Sequence, residues 1–377
     1  MITRTAPGKL FVAGEYAVLE PGCPAVLVAV DRYATVTVTA INGPTALSSD
    51  RAGELVLPRR PSSQSLGGRP NRPTNEPHVE SDVEAAKSGS FSYVLSAVRV
   101  VERLVAERGM PTCCFHLSIS TDLAAPDGRK LGLGSSGAVT VATCDALARF
   151  YRLRLGREEL YRLAMLATLA VAPDASGGDV AASVFGGWLL YCAPDRQSVA
   201  SLADGGGIAA ALDAPWRGLT LQPLPAPVAA HLEVGWTGEP AATTDQVRRL
   251  LDGRYRAAHH RTFLNVSTDC VSTLVYWLTH GDVTRMQEQI RCARHVLGAL
   301  DRQMSLGWMT PRLRALCAAA DAIGAAAKPS GAGGGDCGIA LLRRDQQHQV
   351  AELHDRWKRE GVQPLDLRVH PTEQDLT

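Results

Sequence analysis

The sequence predicts an α+β protein. Stretches with apolar residues at alternate positions are mixed with stretches spaced as amphipathic helices. Their order is irregular, unlike the strict strand–helix alternation of a doubly wound sheet. Three widely separated stretches rich in glycine sit where strands and helices meet.

The 377 residues are enough for two or three domains. A hydrophobic content of 45% with 20% charged residues is that of an ordinary soluble globular chain. A formal net charge of +1 gives no broad attraction to nucleic acid or an anionic membrane, so any anionic ligand must be met by local basic residues. The longest apolar runs, such as Ala25 to Val30, are far too short to span a bilayer. Met1 to Lys9 has neither the basic nor the apolar region of a signal peptide. Nine cysteines with no C-x-x-C pair read as reduced thiols, and no cluster of His and Cys suggests a metal. These features predict a cytoplasmic protein with neither a nucleic-acid nor a membrane partner. Nothing in the chain sets its oligomeric state, and a homodimer is compatible with it.

In chain order, Ala6 to Tyr16 predicts a short apolar strand between two glycine turns. Lys9, its one cation, is either a solvated surface lysine or a charge turned into a cleft. Arg32 to Ala40 puts Tyr33, Thr35, Thr37 and Thr39 on one face and Ala34, Val36 and Val38 on the other, which predicts a strand rich in β-branched residues. Residues 58–89 hold five prolines among Ser, Gly, Arg and Glu, and are expected to form a flexible insertion. Helical spacing returns from Phe91 to Val105, and a strand is expected around Phe115 to Ile119.

Next comes Lys130-Leu131-Gly132-Leu133-Gly134-Ser135-Ser136-Gly137, running straight into an apolar segment with helical spacing. A loop of this kind turns backbone N–H groups and the positive end of a helix dipole toward one point, which suits a phosphate. Glycine permits close approach, and serine hydroxyls add donors or a metal contact. The alternative is a helix entry with serine present only as a cap. The glycines also fit G-x-G-x-x-G, but a charged turn precedes them instead of a strand, Asp145 comes too early for the acidic partner and Glu158 lies inside the next expected helix.

A second helix is expected from Leu160 to Val171, ending near Pro173. In Ser176-Gly177-Gly178-Asp179, the aspartate stands where another helix would begin, a position that on its own suits a plain N-terminal acid. Gly187 to Cys192 reads as a strand, and the Gly/Ala/Pro-rich stretch from about 203 to 227 as a linker. The expected domains are therefore residues 1–226 and 227–377. In the second, a strand at Leu232 to Trp236 precedes helices over roughly 243–260, 281–304 and 310–327. Between Lys328 and Gly338, four glycines in five positions exceed what a helix stop needs.

The Walker loop, the H-R-D and D-F-G triplets and the G-x-S-x-G elbow are all absent. Pro7-Gly8-Lys9, Lys130 to Gly137 and Lys328 to Gly338 together resemble the three motifs of the GHMP small-molecule kinases. Gly14 to Gly22, taken with Ser330 to Ala340, resembles the branch whose acceptor is phosphomevalonate. The resemblance implies a two-domain α+β fold with the active cleft between the domains, and transfer of a phosphoryl group from ATP, with Mg²⁺, to phosphomevalonate. It implies catalytic roles for Lys9 and Asp179. It places the ATP phosphates on Lys130, Gly132, Leu133, Gly134, Ser135, Ser136 and Gly137, with Ser136 also meeting the metal. Lys9, Ser176, Gly177, Ser330, Gly331, Ala332 and Gly333 would face the acceptor. Arg129, Lys130 and Lys328 are candidates to meet its anionic groups. Many relatives carry a Mg²⁺-binding glutamate eleven residues before the aspartate, where this chain has Thr168. Alternatives are an alcohol acceptor such as mevalonate, the decarboxylase that shares the fold, and a nucleotide-binding protein without turnover.

Overall fold

The computed structural model describes residues 1–57, 81–241, 246 and 257–372. The larger of two sheets has seven strands, in the order β4 (Gly53–Val56), β3 (Ala46–Ser49), β5 (Phe115–Thr121), β2 (Pro24–Ala40), β6 (Trp188–Cys192) and β7 (Thr220–Leu224), with β1 (Ile2–Ala13) paired to β2. The smaller has four, in the order β11 (Gln363–Leu365), β8 (Ala230–Trp236), β10 (Cys337–Arg343) and β9 (Ala326–Pro329).

Strand β2 organises the larger sheet. Its first part pairs with β6, its last part with β5, and β1 lies antiparallel along nearly its whole length. The β1–β2 register shifts between Pro7 and Gly8. Proline has no N–H to give a ladder, so a bulge there is expected. The shift sits just before Lys9, and Lys9 N–H leaves the ladder's neighbourhood to bond Leu133 O at 2.8 Å.

Helices α1 (Ser81–Glu107), α2 (Ser135–Phe150), α3 (Arg157–Leu169), α4 (Gly178–Phe185) and α5 (Arg196–Asp213) accompany this sheet. In α2, Ala138, Ala142 and Ala146 are buried with Val141 and Leu147. Small residues on that face let the helix approach β1 and β2 closely, while each buried Val or Leu stabilises the fold by about 1.5–3 kcal/mol. Helices α7 (Val283–Met304), α8 (Pro311–Ala322) and α9 (Val350–Arg359) accompany the smaller sheet, while α6 (Ala257–His280) packs on α7 and reaches β2 and β7 of the larger one. One apolar core runs from the larger sheet to Val234, Trp236, Ile339 and Leu341 of the smaller.

Several elements differ from expectation. Strand β1 is longer than the sequence suggests and takes Gly8 into its interior. Residues 58–80 of the expected insertion lie outside the described residues, but α1 begins at Ser81, inside the expected span. The 203–227 stretch is no linker: it holds the end of α5 and all of β7. Its glycines mark a kink at Gly207 (φ 85°), where the N–H groups of Ile208 and Ala209 bond the Glu107 carboxylate of α1. Most of the expected helix at 243–260 lies outside the described residues, and α6, which begins near its end, was not foreseen. The helix expected to reach 327 stops at Ala322, and Ala326–Pro329 is a buried strand. Gly324 (φ 73°) turns the chain, and the sheet overrides the helical preference of alanine.

Beyond β11 the chain returns to the larger sheet. Arg368 N–H bonds Asp31 Oδ1 at 2.7 Å, His370 N–H bonds Ala29 O at 2.9 Å, and Gly187 N–H bonds His370 O at 2.8 Å.

Candidate active site

Gly134 is where the first two loops meet. It caps α2 in the left-handed conformation (φ 76°), and no side chain caps the helix. The N–H groups of the first turn are thus left for a ligand. A methyl group on Gly134 would lie 3.0 Å from Lys9 Cγ and Cε and 3.2 Å from Asp179 Cβ. One on Gly137 would lie 2.6 Å from Asp179 Oδ2. Lys9, from β1, and Asp179, from α4, therefore converge on one glycine at the N-terminus of α2. Lys9 is half-buried, with Nζ 5.1 Å from the centre of the Phe11 ring, so it is not a freely solvated lysine.

Asp179 is held from below. Gly177 (φ 73°) caps α4 without a side-chain bond, and Ser176 Oγ accepts from Gly178 N–H at 3.4 Å. Tyr191 OH, fully buried on β6, donates to Ser176 O at 2.5 Å and pairs with Tyr161 OH at 2.9 Å. Burial pushes both phenols up, so both stay protonated. Ser183 Oγ, further along α4, donates to Pro7 O at 2.6 Å and fastens the helix to β1.

The third loop is gripped by the residues after Lys9. Ser330 Oγ accepts from Phe11 N–H at 2.8 Å and donates to Phe11 O at 3.0 Å. Glu15 Oε1 accepts from Gly331 N–H at 3.2 Å, and Tyr16 OH donates to Ala332 O at 2.7 Å. Gly333 (φ 65°) packs on Trp308, where a methyl group would meet the Trp308 carbonyl at 2.5 Å. Leu133 is buried and receives the Lys9 N–H; Ser135 is half-buried; Ser136 is exposed, with its carbonyl accepting from Thr140 Oγ1 at 2.8 Å.

Two of the basic candidates prove different from expectation. Lys328 is fully buried and ion-paired to buried Glu15, so it is structural and not open to an acceptor. Arg129 donates to Gly238 O at 2.6 Å, stacks on Trp236 and pairs with Asp127, which ties its turn to β8. Lys130 remains exposed beside the phosphate loop. Thr168 is buried and donates to Ala164 O at 2.9 Å, so it offers nothing to a metal. Among the described residues no three His, Cys, Asp or Glu side chains form a metal cluster, and no helix is long and apolar enough to cross a membrane.

A surface cavity of about 670 Å³ beside Glu233, His354 and Leu365 lies toward the β11 edge of the small sheet and contains none of these groups. Converging chemistry, not cavity size, marks the site.

A lysine, an aspartate and an uncapped helix terminus thus meet at one point, offering the charge and N–H groups that suit a phosphate. Family models agree: residues 92–187 match "GHMP kinases N terminal domain" and residues 280–363 match "GHMP kinases C terminal". The chain belongs to the GHMP kinases. It is 48% identical to a phosphomevalonate kinase of Streptomyces sp. (strain CL190), covering 97% of this chain and 96% of that one. A solved phosphomevalonate kinase of Streptococcus pneumoniae, in complex with phosphomevalonate and AMPPNP, superposes with a TM-score of 0.81 at 29% identity over 98% of this chain and all of that one. The mevalonate kinase of Pyrococcus furiosus is 27% identical over 93% of this chain and 91% of its own length.

Proposed function

We propose that the chain transfers the γ-phosphoryl group of ATP to phosphomevalonate, giving diphosphomevalonate and ADP for isoprenoid synthesis. Support comes from the likeness to phosphomevalonate kinases over nearly the whole chain. The single structural observation that carries it is the meeting of Lys9 and Asp179 at Gly134.

Phosphoryl transfer needs positioning and charge neutralisation more than covalent help. The N–H groups opening α2, with Gly132 to Gly137 and Lys130, hold the ATP phosphates. Ser176, Gly177 and the Ser330 to Gly333 loop face the acceptor. A phosphate acceptor has its second pKa near 6 and is largely ionised at neutral pH, unlike an alcohol. No obligatory base is required. Asp179 orients Lys9, and Lys9 neutralises the incoming and transferring phosphates. The Ser136 hydroxyl, exposed at the helix start, and the Asp179 carboxylate fit a Mg²⁺ that keeps several waters. When bound, that ion supplies further neutralisation of phosphate charge. The division into domains 1–226 and 227–377 is supported by the sheets, whose strands end at Leu224 and restart at Ala230.

The test is an acceptor screen, reading ADP release with phosphomevalonate and with mevalonate, and CO₂ release with diphosphomevalonate. Turnover of phosphomevalonate alone is expected; preference for either other compound overturns the reading. Within that screen, Lys9→Ala is expected to cost more turnover than Asp179→Asn. The reverse ranking would make Asp179 a base.

A further inference from the structure

Asp336 stands between the second and third loops, and the reaction described above assigns it nothing. Its backbone is left-handed (φ 52°), a conformation uncommon outside glycine and, for a side-chain-bearing residue, a mark of local constraint. Both of its backbone groups are engaged: Thr237 N–H bonds its carbonyl at 2.9 Å, and its own N–H bonds Glu239 O at 2.7 Å. Its carboxylate takes Ala241 N–H on Oδ1 at 3.0 Å. The same side chain lies flat against Gly132, where a methyl group would meet Oδ2 at 2.6 Å. Next in the chain, buried Cys337 donates its thiol to Leu131 O at 3.0 Å. Residues 336 and 337 thus clamp residues 131 and 132, at the entrance of the phosphate loop.

This puts a fixed negative charge at an anion site. Lys130 is two residues from Gly132 on one side, and Gly134, against which Lys9 lies, is two residues away on the other. Lys9 and Lys130 are also the two cations whose charge Asp336 feels; burial raises its carboxyl from the ordinary range, against their pull and that of the Ala241 N–H.

We propose that Asp336 is the resident counter-charge of the nucleotide site, fixed by Ala241 against Gly132, which positions Lys9 and Lys130 while the site is empty and opposes retention of phosphate once it is filled. The proposal rests on the reading of Gly132 to Gly137 as the phosphate loop. A carboxylate serving only to hold the loop would act through its shape and its hydrogen bond. A counter-charge acts through its sign. Asp336→Asn separates the two, because the amide keeps an oxygen for Ala241 N–H and loses the charge.

The probe is ADP, titrated calorimetrically into wild-type and variant protein at about 0.1 M salt. Removing a like charge from beside a polyanion at an effective dielectric between that of protein surface and water is expected to tighten ADP binding about three- to tenfold. The gain is expected to shrink at about 0.5 M salt, where screening is short-ranged. Asp336→Ala also gives up the Ala241 bond and is expected to fall short of the asparagine variant. Equal or weaker ADP binding by Asp336→Asn, with an unchanged unfolding midpoint, overturns the proposal. Equal tightening by alanine overturns the part assigned to Ala241. Since the titration uses no acceptor, failure of wild-type protein to turn over phosphomevalonate would refute the proposed function without touching this measurement.

Discussion

Gly137→Ala separates stability from catalysis at a single methyl group. Gly137 is the third residue of α2, with helical backbone, so alanine fits it without strain and gains about 1 kcal/mol of helix propensity. The added methyl would lie 2.6 Å from Asp179 Oδ2, 2.7 Å from Cγ and 2.9 Å from Cβ. Carbon and oxygen do not approach so closely, so the Asp179 side chain must swing away by a good fraction of an ångström. Misplacement on the order of 1 Å near a reacting centre costs about 10²-fold in rate. The variant is therefore expected to melt no lower than wild type while kcat falls by about two orders of magnitude. Thermal unfolding and a coupled ADP-release assay read the two effects separately. Retention of kcat within about threefold would refute the placement of Asp179 in the machinery, since the side chain would have moved without consequence.

Four further outcomes follow from the same geometry. Tyr191→Phe leaves Tyr161 OH and Ser176 O without their buried partner and should lower stability by about 1–3 kcal/mol, read from urea midpoints, with kcat reduced more than KM is raised. Lys328→Met leaves Glu15 buried and uncompensated, at a cost of about 3–5 kcal/mol; adding Glu15→Leu should recover much of the loss. Tyr16→Phe removes only the hydroxyl that holds Ala332 O and should raise KM for the acceptor severalfold with little change in melting temperature. His370 is held neutral by burial, which lowers its pKa from 6.5, with Arg157 adding to the effect and Asp31 opposing it. The unfolded chain therefore binds the proton first, so this stabilisation is complete above 6.5 and is lost as pH falls through the lower folded value. Protection factors for hydrogen exchange at 368–372, taken against the intrinsic rate at each pH, should fall on acidification, and less so in His370→Gln.

Much of this was legible in the sequence because the relevant signals are local. A glycine-serine loop running into an apolar helix announces α2, and the short motif around Asp179 announces the start of α4. Period-two patterning announces β2 and β5. What was not legible depends on partners far away in the chain. Lys328 looks like a surface cation until Glu15, 313 residues earlier, is brought against it. Glycines at 205–207 look like a linker until Glu107 satisfies the kink they allow. Asp336 looks like one more loop residue until Gly132 packs on it. Tyr191 reads as a plain strand aromatic, and only its hydroxyl's reach to Ser176 gives it a place beneath Asp179.

The return of residues 368–370 to β2 and β6 has a bearing on how the protein is made. Asp31 emerges from the ribosome early, yet its partner Arg368 follows 337 residues later. Positions 29–31 of β2, between its pairings with β6 and β5, must wait for that segment before they are covered. At about 5–20 residues per second, that interval is on the order of 20–70 seconds. Over that time a nascent chain exposes a ready edge for wrong pairing, and bulk introduced beside residues 368–370 would disturb strands synthesised long before it.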